Sequence, residues 1–423
     1  MKRRLADQIL GRMPLLDEGW GDISFVKAQF RRFYETEANL LAPTEILQRE
    51  FGFLSFEGKT MIRHLSFNDG DQLRAAVVEN TPAHVYYSSA YYRDPEAEMD
   101  RKGWLGADLV FDIDADHIDT PCKEVHDSWV CKSCGSEGRG RTPQACPRCG
   151  RGSFEEEVWL CDRCLEAAKF EALKLIDILI QDFGFSPLDL EVNFTGNRGY
   201  HVHVKAPTVR RLDQIGRREI VDYITGTGLK VEFHGFSRLR GGASTMADPG
   251  WRGRIARALY DYLSEVDGET IRGVRLSRQA SRSILESRGE ILRILREEHP
   301  GRVLRFLDLK SLQALVDASI KRQASAIDTV VTTDLHRLIR LPNTLHGKTG
   351  FTAQRVTLDG LEDYDPLTRA IAFKGGSMKV MVKNAPRFRI RDEVLGPFKD
   401  ELVELPVAAA VFLLCRRAAR VEG

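Results

Sequence analysis

The pattern of apolar and polar positions predicts a chain that mixes helices with short strands. Residues 1–60 carry apolar residues at helical spacing, in LADQILGRM and FVKAQFRRFYETEANLL, so we expect this region to be mainly helical. From about residue 61 the apolar runs become short, as in MIRHLSF, HVYYSSAYY and ADLVFDIDADH, which favours strands. The later stretch LEAAKFEALKLIDILIQDFGF predicts an amphipathic helix, whose apolar stripe contains Leu165, Ala168, Leu175, Ile176, Leu179 and Phe183.

The second half of the chain continues this alternation. The stretch LDLEVNFTGNRGYHVHVKAP predicts a strand, a tight turn and a second strand. Residues 209–325 are largely helical in pattern and rich in charge, and residues 327–358 return to a strand-like pattern. The tail from about 361 mixes loops with a final helix in VAAAVFLLCRR, where we expect Cys415 to be a small buried core residue. Together these patterns indicate an α/β core with insertions.

Composition and charge narrow the class of protein. The 423 residues are 43% hydrophobic and 29% charged, which is typical of a globular protein. Lys and Arg (62) balance Asp and Glu (61), so a nucleic-acid surface must be local. One stretch, Lys205 to Arg257, has eleven basic against five acidic residues. No apolar run approaches the roughly 18 residues of a membrane helix, and MKRRLADQILGRMP lacks the apolar region of a secretory signal. We therefore expect a cytoplasmic protein with no membrane partner.

Seven of the eight cysteines lie within residues 122–164, and six of them form three Cys-x-x-Cys pairs. A cytoplasmic protein gains little from disulfides, whereas this spacing is typical of tetrahedral zinc. Two pairs form a zinc ribbon, and the remaining three cysteines need one more ligand, which His126 supplies. Two structural zinc sites result, one nested inside the other; the alternative is a single zinc without Cys122 and His126. The two ligand sets are Cys131, Cys134, Cys146 and Cys149, and Cys122, His126, Cys161 and Cys164.

The stretch ADLVFDIDADH carries the first set of acidic residues. In an extended strand Asp112 and Asp114 share one face, while Phe111 and Ile113 share the other. Two carboxylates on a strand that is otherwise made for burial require a compensating cation, and hard divalent ions prefer such oxygen ligands. The alternative is the end of a strand whose acidic residues face solvent.

The stretch TGNRGYHVHV combines a turn with basic side chains. Gly196 and Gly199 allow a tight turn whose backbone amides could face a phosphate, and Arg198 lies at that turn. Beyond it, His201 and His203 alternate with apolar residues, so one face is cationic and the other is apolar. The alternative is an amphipathic hairpin with one solvated face, to which His203 would belong.

The stretch AIDTVVTTDLHRLIRLPNTLHGKTG is dense in acidic and basic groups with apolar residues between them. A metal ion and a triphosphate together need both signs of charge, so the stretch fits such a site. A charged surface loop is the alternative, but it does not explain the embedded apolar residues. The candidates here are Asp328, Asp334, His336, Arg337, Arg340, His346 and Lys348.

These motifs, in this order around a zinc knuckle, resemble the small catalytic subunit of archaeal and eukaryotic DNA primases, most closely archaeal members with an enlarged zinc insert. The resemblance covers most of residues 30–358, through REFGF (49–53), MIRHLSF (61–67), LVFDIDADH (109–117), the cysteine cluster leading into CLEAAK, FTGNRGYHVHV (194–204) and LHRLIRLPNTLHGKTG (335–350). It implies a primase-type α/β (α+β) catalytic core with a zinc-ribbon insert and a helical insert. We expect core segments at 1–121, 165–208 and 326–360, a zinc-binding insert at 122–164, a mostly helical insert at 209–325 and a C-terminal segment at 361–423.

The resemblance also implies a two-metal nucleotidyltransferase that uses Mg²⁺ or Mn²⁺. By position, Asp112, Asp114 and Asp328 correspond to the three metal-binding carboxylates of the family, whereas Asp334 falls where the family has no metal ligand. The chain departs from the family pattern at Thr195, where Ser is common, and at Asn197, where some relatives carry Arg. The implied nucleotide-binding positions are Thr195, Arg198, His201, Arg340, His346 and Lys348, with Glu50 and Arg63 near the metals and the bound nucleotide.

The function that this resemblance implies is template-directed synthesis of short RNA primers, with DNA primers as an open second product. The expected partners are a single-stranded DNA template, nucleoside triphosphates and a large, iron–sulfur-bearing primase subunit in a heterodimer. We expect the protein to be nucleoid-associated during replication. One alternative is a repair or damage-tolerance primase-polymerase of the same superfamily, which commonly lacks the zinc knuckle. Another is a non-catalytic zinc-ribbon protein that binds nucleic acid, which gives no reason for the three aspartates to converge.

Overall fold

The computed structural model describes residues 22–37, 42–57, 60–236, 246–297 and 300–422, in which helices and short strands alternate. The helices are α1 (Ile23–Thr36), α2 (Gly70–Asn80), α3 (Lys123–His126), α4 (Asp162–Gln181), α5 (Gln214–Thr225), α6 (Gly250–Glu265), α7 (Arg278–Glu286), α8 (Arg288–Glu297), α9 (Leu309–Ser319), α10 (Thr329–Thr333), α11 (Pro366–Arg369) and α12 (Val407–Cys415). The strands are β1 (Phe51–Leu54), β2 (Met61–Leu65), β3 (His84–Ser88), β4 (Ala90–Tyr92), β5 (Trp104–Ala107), β6 (Leu109–Asp114), β7 (Ser128–Cys131), β8 (Glu137–Arg139), β9 (Phe154–Glu157), β10 (Leu190–Phe194), β11 (Gly199–Val204), β12 (Leu338–Arg340), β13 (Gln354–Val356), β14 (Ser377–Ala385), β15 (Phe388–Ile390), β16 (Glu393–Leu395), β17 (Phe398–Pro406) and β18 (Ala419–Val421). The mixed α/β class expected from the sequence is confirmed.

Two four-stranded antiparallel sheets form the centre of the molecule. The first has the order β13-β10-β11-β6, and its β10–β11 hairpin is the one predicted from the sequence. The register of β11 against β6 sets His201 opposite Asp112 and Gly199 opposite Asp114. The second sheet has the order β12-β3-β1-β2 and sets Arg340 opposite Tyr86. Each sheet therefore brings residues from distant parts of the sequence side by side.

Strand β11 of the hairpin lies so close to β6 that only glycine fits at position 199, the first residue of β11. A Cβ atom built on Gly199 would clash with the carbonyl oxygen of Ile113. Gly196, in the turn itself, has a φ of 80°, a left-handed conformation that side-chain-bearing residues rarely adopt. The two glycines therefore set both the turn and the spacing of the sheet.

The predicted amphipathic helix is α4, which packs against β6 and β11. Its predicted stripe from Leu165 to Leu179 is buried, whereas Phe183 lies beyond the last helical residue and is half-buried. Among the described residues, no helix is both long and apolar enough to cross a membrane.

A second hydrophobic core lies within residues 231–324 and is separate from the main one. Side chains such as Trp251, Leu259 and Leu315 fill it from α6 and α9. Arg254 on α6 ties this region to the C-terminal end of α4, because its buried guanidinium pairs with Asp182 at 2.6 Å and Asp177 at 2.8 Å. Residues 209–325 as one helical insert remain a prediction, but the packing shows that much of this region is held by its own core.

The expectation that residues 1–60 are mainly helical is partly wrong. The stretch FVKAQFRRFYETEANLL is helical only to Thr36, and LADQILGRM lies outside the described residues. Phe51 to Leu54 form strand β1, since pairing with β2 and β3 satisfies the backbone while Phe51 and Phe53 enter the core. In residues 327–358, a one-turn helix, α10, stands where a strand-like pattern was expected, because the Asp328 carboxylate accepts from the amides of Val330 and Val331.

The expectation of loops with a final helix in the tail is also partly wrong. The final helix is α12, but β14, β17 and β18 form an antiparallel sheet beside it, and β15 pairs with β16. In β14, Val380 and Val382 are fully buried while Lys379 and Lys383 are exposed. This alternation has the period of two that characterises a half-buried strand.

We expect Gly199→Ala to lower the free energy of unfolding by about 1–3 kcal/mol or more, because the added methyl group must push β11 away from Ile113. Chemical denaturation followed by circular dichroism measures this change. Gly268→Ala is the matched control, since no atom lies within 4 Å of its added Cβ. Equal stability of the two variants would contradict the tight pairing.

Candidate active site

Three aspartates come together at the end of β6. Asp112 and Asp114 occupy one face of the strand, while Phe111 and Ile113 are fully buried on the other. Asp328 joins them because its backbone amide donates a 2.8 Å hydrogen bond to the Asp112 carbonyl oxygen. Since its carboxylate also caps α10, the third aspartate is held in place at both backbone and side chain.

The carboxylates repel one another. The pKa of Asp112 is raised to about 7, first by burial and then by the negative charges of Asp114 and Asp328. The Asp112 side chain is 23% exposed, so an ion can reach it from solvent. Clustered, partly buried carboxylates are favourable only when a cation compensates them, and hard divalent cations prefer oxygen ligands. The donor set therefore fits Mg²⁺ or Mn²⁺.

A cavity of about 180 Å³ opens beside the aspartates. It lies between the first sheet, which supplies acidic and hairpin residues, and β12 of the second sheet, which supplies basic residues. Six of the predicted site residues line it: Asp112, Asp114, Thr195, His201, Arg340 and His346. Its other lining residues are Tyr86, Asn197, Val331, Arg337, Leu338 and Ile339.

Arg340 is a buried cation in the wall of this cavity. Its Nη1 donates to His84 Nδ1 at 2.7 Å, and its Nη2 donates to the Tyr86 hydroxyl at 3.2 Å. The guanidinium also lies over the Tyr86 ring, 4.9 Å from its centroid. Burial lowers its pKa, but an arginine stays protonated at neutral pH. No carboxylate of the described residues forms an ion pair with it, so Arg340 favours an anionic ligand.

His346 is neutral and oriented as a hydrogen-bond donor. Burial, followed by the charge of Arg340, lowers its pKa well below the usual value. Its Nδ1 accepts from the Lys348 amide at 3.2 Å, so the proton of the neutral ring lies on Nε2. The ring therefore offers one N–H, from Nε2, to a ligand.

His84 links Arg340 to the loop that carries His346 and Lys348. Its Nδ1 accepts from Arg340 and, at 3.3 Å, from the Gly347 amide. Burial and then the charge of Arg340 lower its pKa to about 2, so the ring is a neutral acceptor. His84 thus positions two parts of the cavity wall, a role that the sequence did not indicate.

His201 and His203 are both buried on β11. His201 lies opposite Asp112, and His203 lies two residues further along the strand, opposite Val110. His201 Nε2 lies 3.5 Å from Asp112 Oδ1, and burial keeps its pKa well below the usual value. The interpretation of His203 as part of a solvated face is wrong. Its side chain is inaccessible and stacks on Tyr87, with the ring centroids 6.5 Å apart, because β11 is an interior strand covered by the second sheet.

Arg198 and Lys348 line a second, larger cavity of about 800 Å³, which adjoins the first and shares Asn197 with it. Asp116 forms an ion pair with Arg198 Nη2. Burial raises the pKa of Asp116, and the charge of Arg198 opposes this shift. Asp116 is therefore the residue that orients Arg198.

Glu50 and Arg63 pair with each other and do not line either of these cavities. Arg63 Nε donates to Glu50 Oε1 at 2.9 Å, and Arg63 Nη2 donates to Glu50 Oε2 at 3.3 Å. The Lys102 ammonium lies 3.4 Å from the same carboxylate. Burial acts to raise the pKa of Glu50, but Arg63 and Lys102 outweigh it and the pKa is lowered. Glu50 therefore serves mainly to orient the half-exposed Arg63.

The cysteines of residues 122–164 assemble into the two predicted sets. In the first set, Cys164 Sγ lies 3.4 Å from Cys122 Sγ, 3.7 Å from Cys161 Sγ and 3.4 Å from His126 Nε2. A zinc tetrahedron with bonds of about 2.3 Å separates its sulfurs by about 3.8 Å, so these distances fit zinc. His126 Nδ1 contacts Asp127 Oδ1 at 2.7 Å, as is usual behind a metal-binding histidine.

The second set lies on the small sheet β8-β7-β9, beyond the first. Cys131 Sγ is 3.6 Å from Cys149 Sγ, and Cys134 Sγ is 3.7 Å from Cys146 Sγ. Both sets could bind zinc, because in each set the ligand atoms of all four residues lie within 4.8 Å of one another. The structure therefore favours two zinc ions over one, and it places Cys415, which is half-buried on α12, outside both sets.

Two of the missed residues carry a weak signal in the sequence. Asp116 continues the period-two spacing of Asp112 and Asp114, so the stretch DIDAD could have been read as three carboxylates. His84 is a polar residue at the head of the apolar run HVYYSSAYY. Its partner Arg340 lies in another part of the chain, so no local pattern connects the two.

Comparison with known proteins gives consistent matches. Residues 151–358 match a family model described as DNA primase small subunit. The DNA primase small subunit PriS of Methanococcoides burtonii is 34% identical, over 93% of this chain and 97% of that protein. PriS of Methanothrix thermoacetophila is 34% identical, over 94% and 98% respectively. PriS of Cenarchaeum symbiosum is 32% identical, over 93% and 97%.

We expect about two zinc ions per chain, and about one in Cys161→Ser, because removal of one thiolate opens one tetrahedron. The variant should also melt at a lower temperature, since zinc binding and local folding are coupled. Elemental analysis and thermal unfolding measure both effects. Cys415→Ser, outside both sets, should keep both ions. Unchanged zinc content in Cys161→Ser would contradict the assignment.

Proposed function

The chain belongs to the DNA primase small subunit family, and we propose that it is the catalytic subunit of a DNA primase. It is a nucleotidyltransferase that makes short RNA primers on single-stranded DNA for replication. The observation that carries this proposal is the meeting of Asp112, Asp114 and Asp328 beside the buried cation Arg340. Such a site suits a nucleoside triphosphate accompanied by divalent cations, because it offers ligands to both.

Asp112, Asp114 and Asp328 would hold two Mg²⁺ or Mn²⁺ ions. When bound, these ions would lower the pKa of the primer 3′-hydroxyl and offset the charge of the pyrophosphate that leaves. The protein's contribution is a fixed arrangement of carboxylates. Asp112 and Asp114 are fixed by the sheet, and Asp328 is fixed by its hydrogen bond to the Asp112 backbone.

The basic half of the site would bind the triphosphate. Arg340 is fully charged, and its position is fixed by His84 and Tyr86, so it needs little reorganisation when phosphate oxygens arrive. His346 would donate from Nε2, the Thr195 hydroxyl would add a neutral hydrogen bond, and Lys348 would add charge from the rim. His201, which is neutral, would support the Asp112 carboxylate by a hydrogen bond without adding positive charge.

The proposed partners are a single-stranded DNA template, nucleoside triphosphates and a large primase subunit. The name of the family, which describes a small subunit, supports the last of these. The two cysteine sets favour a replicative primase over a repair primase-polymerase, which commonly lacks the zinc knuckle. A non-catalytic zinc-ribbon protein would leave the convergence of the three aspartates without a purpose.

We expect Asp112→Asn to reduce primer synthesis to background while leaving the zinc-loaded protein, without Mg²⁺ or Mn²⁺, as stable as wild type or more so. The amide removes a metal ligand and also removes the repulsion that raises the Asp112 pKa. Incorporation of labelled nucleotides on single-stranded DNA, with and without the large subunit, measures synthesis, and melting of the zinc-loaded protein without added Mg²⁺ or Mn²⁺ measures stability. Asp359→Asn, at an exposed turn, should change neither. An active Asp112→Asn protein would refute the proposed role of this carboxylate.

We expect His84→Phe to raise the KM for nucleoside triphosphate by about 10–100-fold, because the charged Arg340 loses a hydrogen bond of about 1.5–3 kcal/mol. His84→Asn should recover much of the loss, since its side-chain oxygen can accept from Arg340 as Nδ1 does. Steady-state kinetics with a supplied primer measure both variants. If His84→Asn is as impaired as His84→Phe, the hydrogen bond is not what positions Arg340.

A further inference from the structure

The cavity of about 800 Å³ beside the aspartate site has walls of opposite charge. It lies between the β10–β11 turn, the end of α12 and strand β9 of the cysteine-rich segment. Arg198, Lys348, Arg416 and Arg417 form its basic wall, and residues 155–157 with Asp116 contribute the acidic side. The C-terminal segment thus contributes residues to a cavity that adjoins the aspartate site.

Arg416 is held rigidly in the basic wall. Its guanidinium lies 4.8 Å from the ring centroid of Trp159 and 4.9 Å from that of Phe412. Its Nη1 donates to the Val158 carbonyl oxygen at 2.8 Å. Its Nε is buried and has no hydrogen-bond partner among the described residues. The ring contacts and the single hydrogen bond fix the orientation of the group, but they do not neutralise its charge.

Arg198 is in the same situation on the facing turn. It is 5% exposed, and although Asp116 pairs with its Nη2, its buried Nη1 has no partner in the described part of the chain. The two cations influence each other, since burial and then the charge of Arg198 lower the pKa of Arg416 to about 10. Cations whose N–H groups are buried without a hydrogen-bond partner are costly unless an anion compensates them. An anion from outside the chain would supply what both residues lack.

We propose that Arg416 and Arg198 together bind a polyphosphate, which makes Arg416 a further phosphate-binding residue contributed by the C-terminal helix. The inference rests on the proposed function, because both the outer phosphates of the incoming nucleotide and the released pyrophosphate have this chemistry. Guanidinium groups match phosphate oxygens through paired N–H donors, and two of them favour a doubly charged anion over chloride. The acidic side of the cavity would disfavour prolonged retention of the anion.

Trp159 provides a direct readout, because Arg416 lies on its ring. Sodium pyrophosphate is titrated into the zinc-loaded protein without Mg²⁺, Mn²⁺, nucleotide or DNA, and tryptophan fluorescence is followed. Wild type should show a saturable change, and Trp159→Phe should lose it. Arg416→Gln should bind pyrophosphate at least about tenfold more weakly, as expected for the loss of a charged hydrogen bond. Arg416→Lys should fall between the two, and Arg369→Gln, exposed on α11, should match wild type.

Kinetics separate the two sources of polyphosphate. If the incoming nucleotide uses the site, Arg416→Gln raises the KM for nucleoside triphosphate; if only the product uses it, inhibition by pyrophosphate weakens and the KM is unchanged. Either result supports the inference. Absence of a Trp159-dependent signal at millimolar pyrophosphate overturns it, as does unchanged affinity in Arg416→Gln. If the Arg416→Gln protein melts at a lower temperature than wild type, its affinity for pyrophosphate is not used. The affinity of Arg416→Lys and the dependence of the fluorescence change on Trp159 then test the inference.

The same measurements distinguish this inference from the proposed function. If pyrophosphate binding depends on Arg416 but the protein makes no primers, the proposed primase function is refuted and the polyphosphate site is supported. Primer synthesis with normal pyrophosphate binding in Arg416→Gln would refute the site and keep the function.

Discussion

The antiparallel pairing of β6 with β11 is the contact on which the rest of the site depends. It sets His201 opposite Asp112 and brings the turn that carries Arg198 next to the acidic end of β6. Gly199 permits the close approach, because any side chain there would collide with the Ile113 backbone. Three carboxylates and a basic turn are thereby held together in a partly buried region. There the carboxylates repel one another and attract the basic turn more strongly than they would in water. The fold holds these charges close together before any ligand is bound, so cations and phosphates find their ligands already in position.

Patterns that repeat locally in the sequence predicted much of this arrangement. The alternation in ADLVFDIDADH fixed which face of β6 carries aspartates, and the Cys-x-x-Cys spacing sorted the cysteines into two sets that the structure brings together. What the sequence could not predict involves elements remote in the chain. His203 looked solvated because its own strand is amphipathic, yet another sheet covers it. His84 meets Arg340 through the pairing of β3 with β12, which no local pattern reveals.

The regions around the site are tied to it by buried cations that donate to backbone carbonyls. Arg217 on α5 donates to the carbonyl oxygens of Ala107 and Asp108, at the start of β6. Arg49 donates to those of Ser88 and Ser89 and pairs with Asp108 at 2.7 Å. These contacts add hydrogen bonds to carbonyls at the strand ends, where the core excludes water. They also connect residues 214–225 to the strand that carries the aspartates, although the helices that follow have their own core.

The hydrogen bond from the Asp328 amide to the Asp112 carbonyl has a consequence for how the protein is made. Asp112 and Asp114 leave the ribosome early, whereas Asp328, Arg340 and His346 follow only after residues 209–325 have been synthesised. A nascent chain that ends at residue 320 contains β6, α4 and the hairpin, but it lacks the third aspartate and the basic wall. The proposed site is therefore completed late in translation, because its third aspartate and its basic wall come from the part of the chain that follows residue 325.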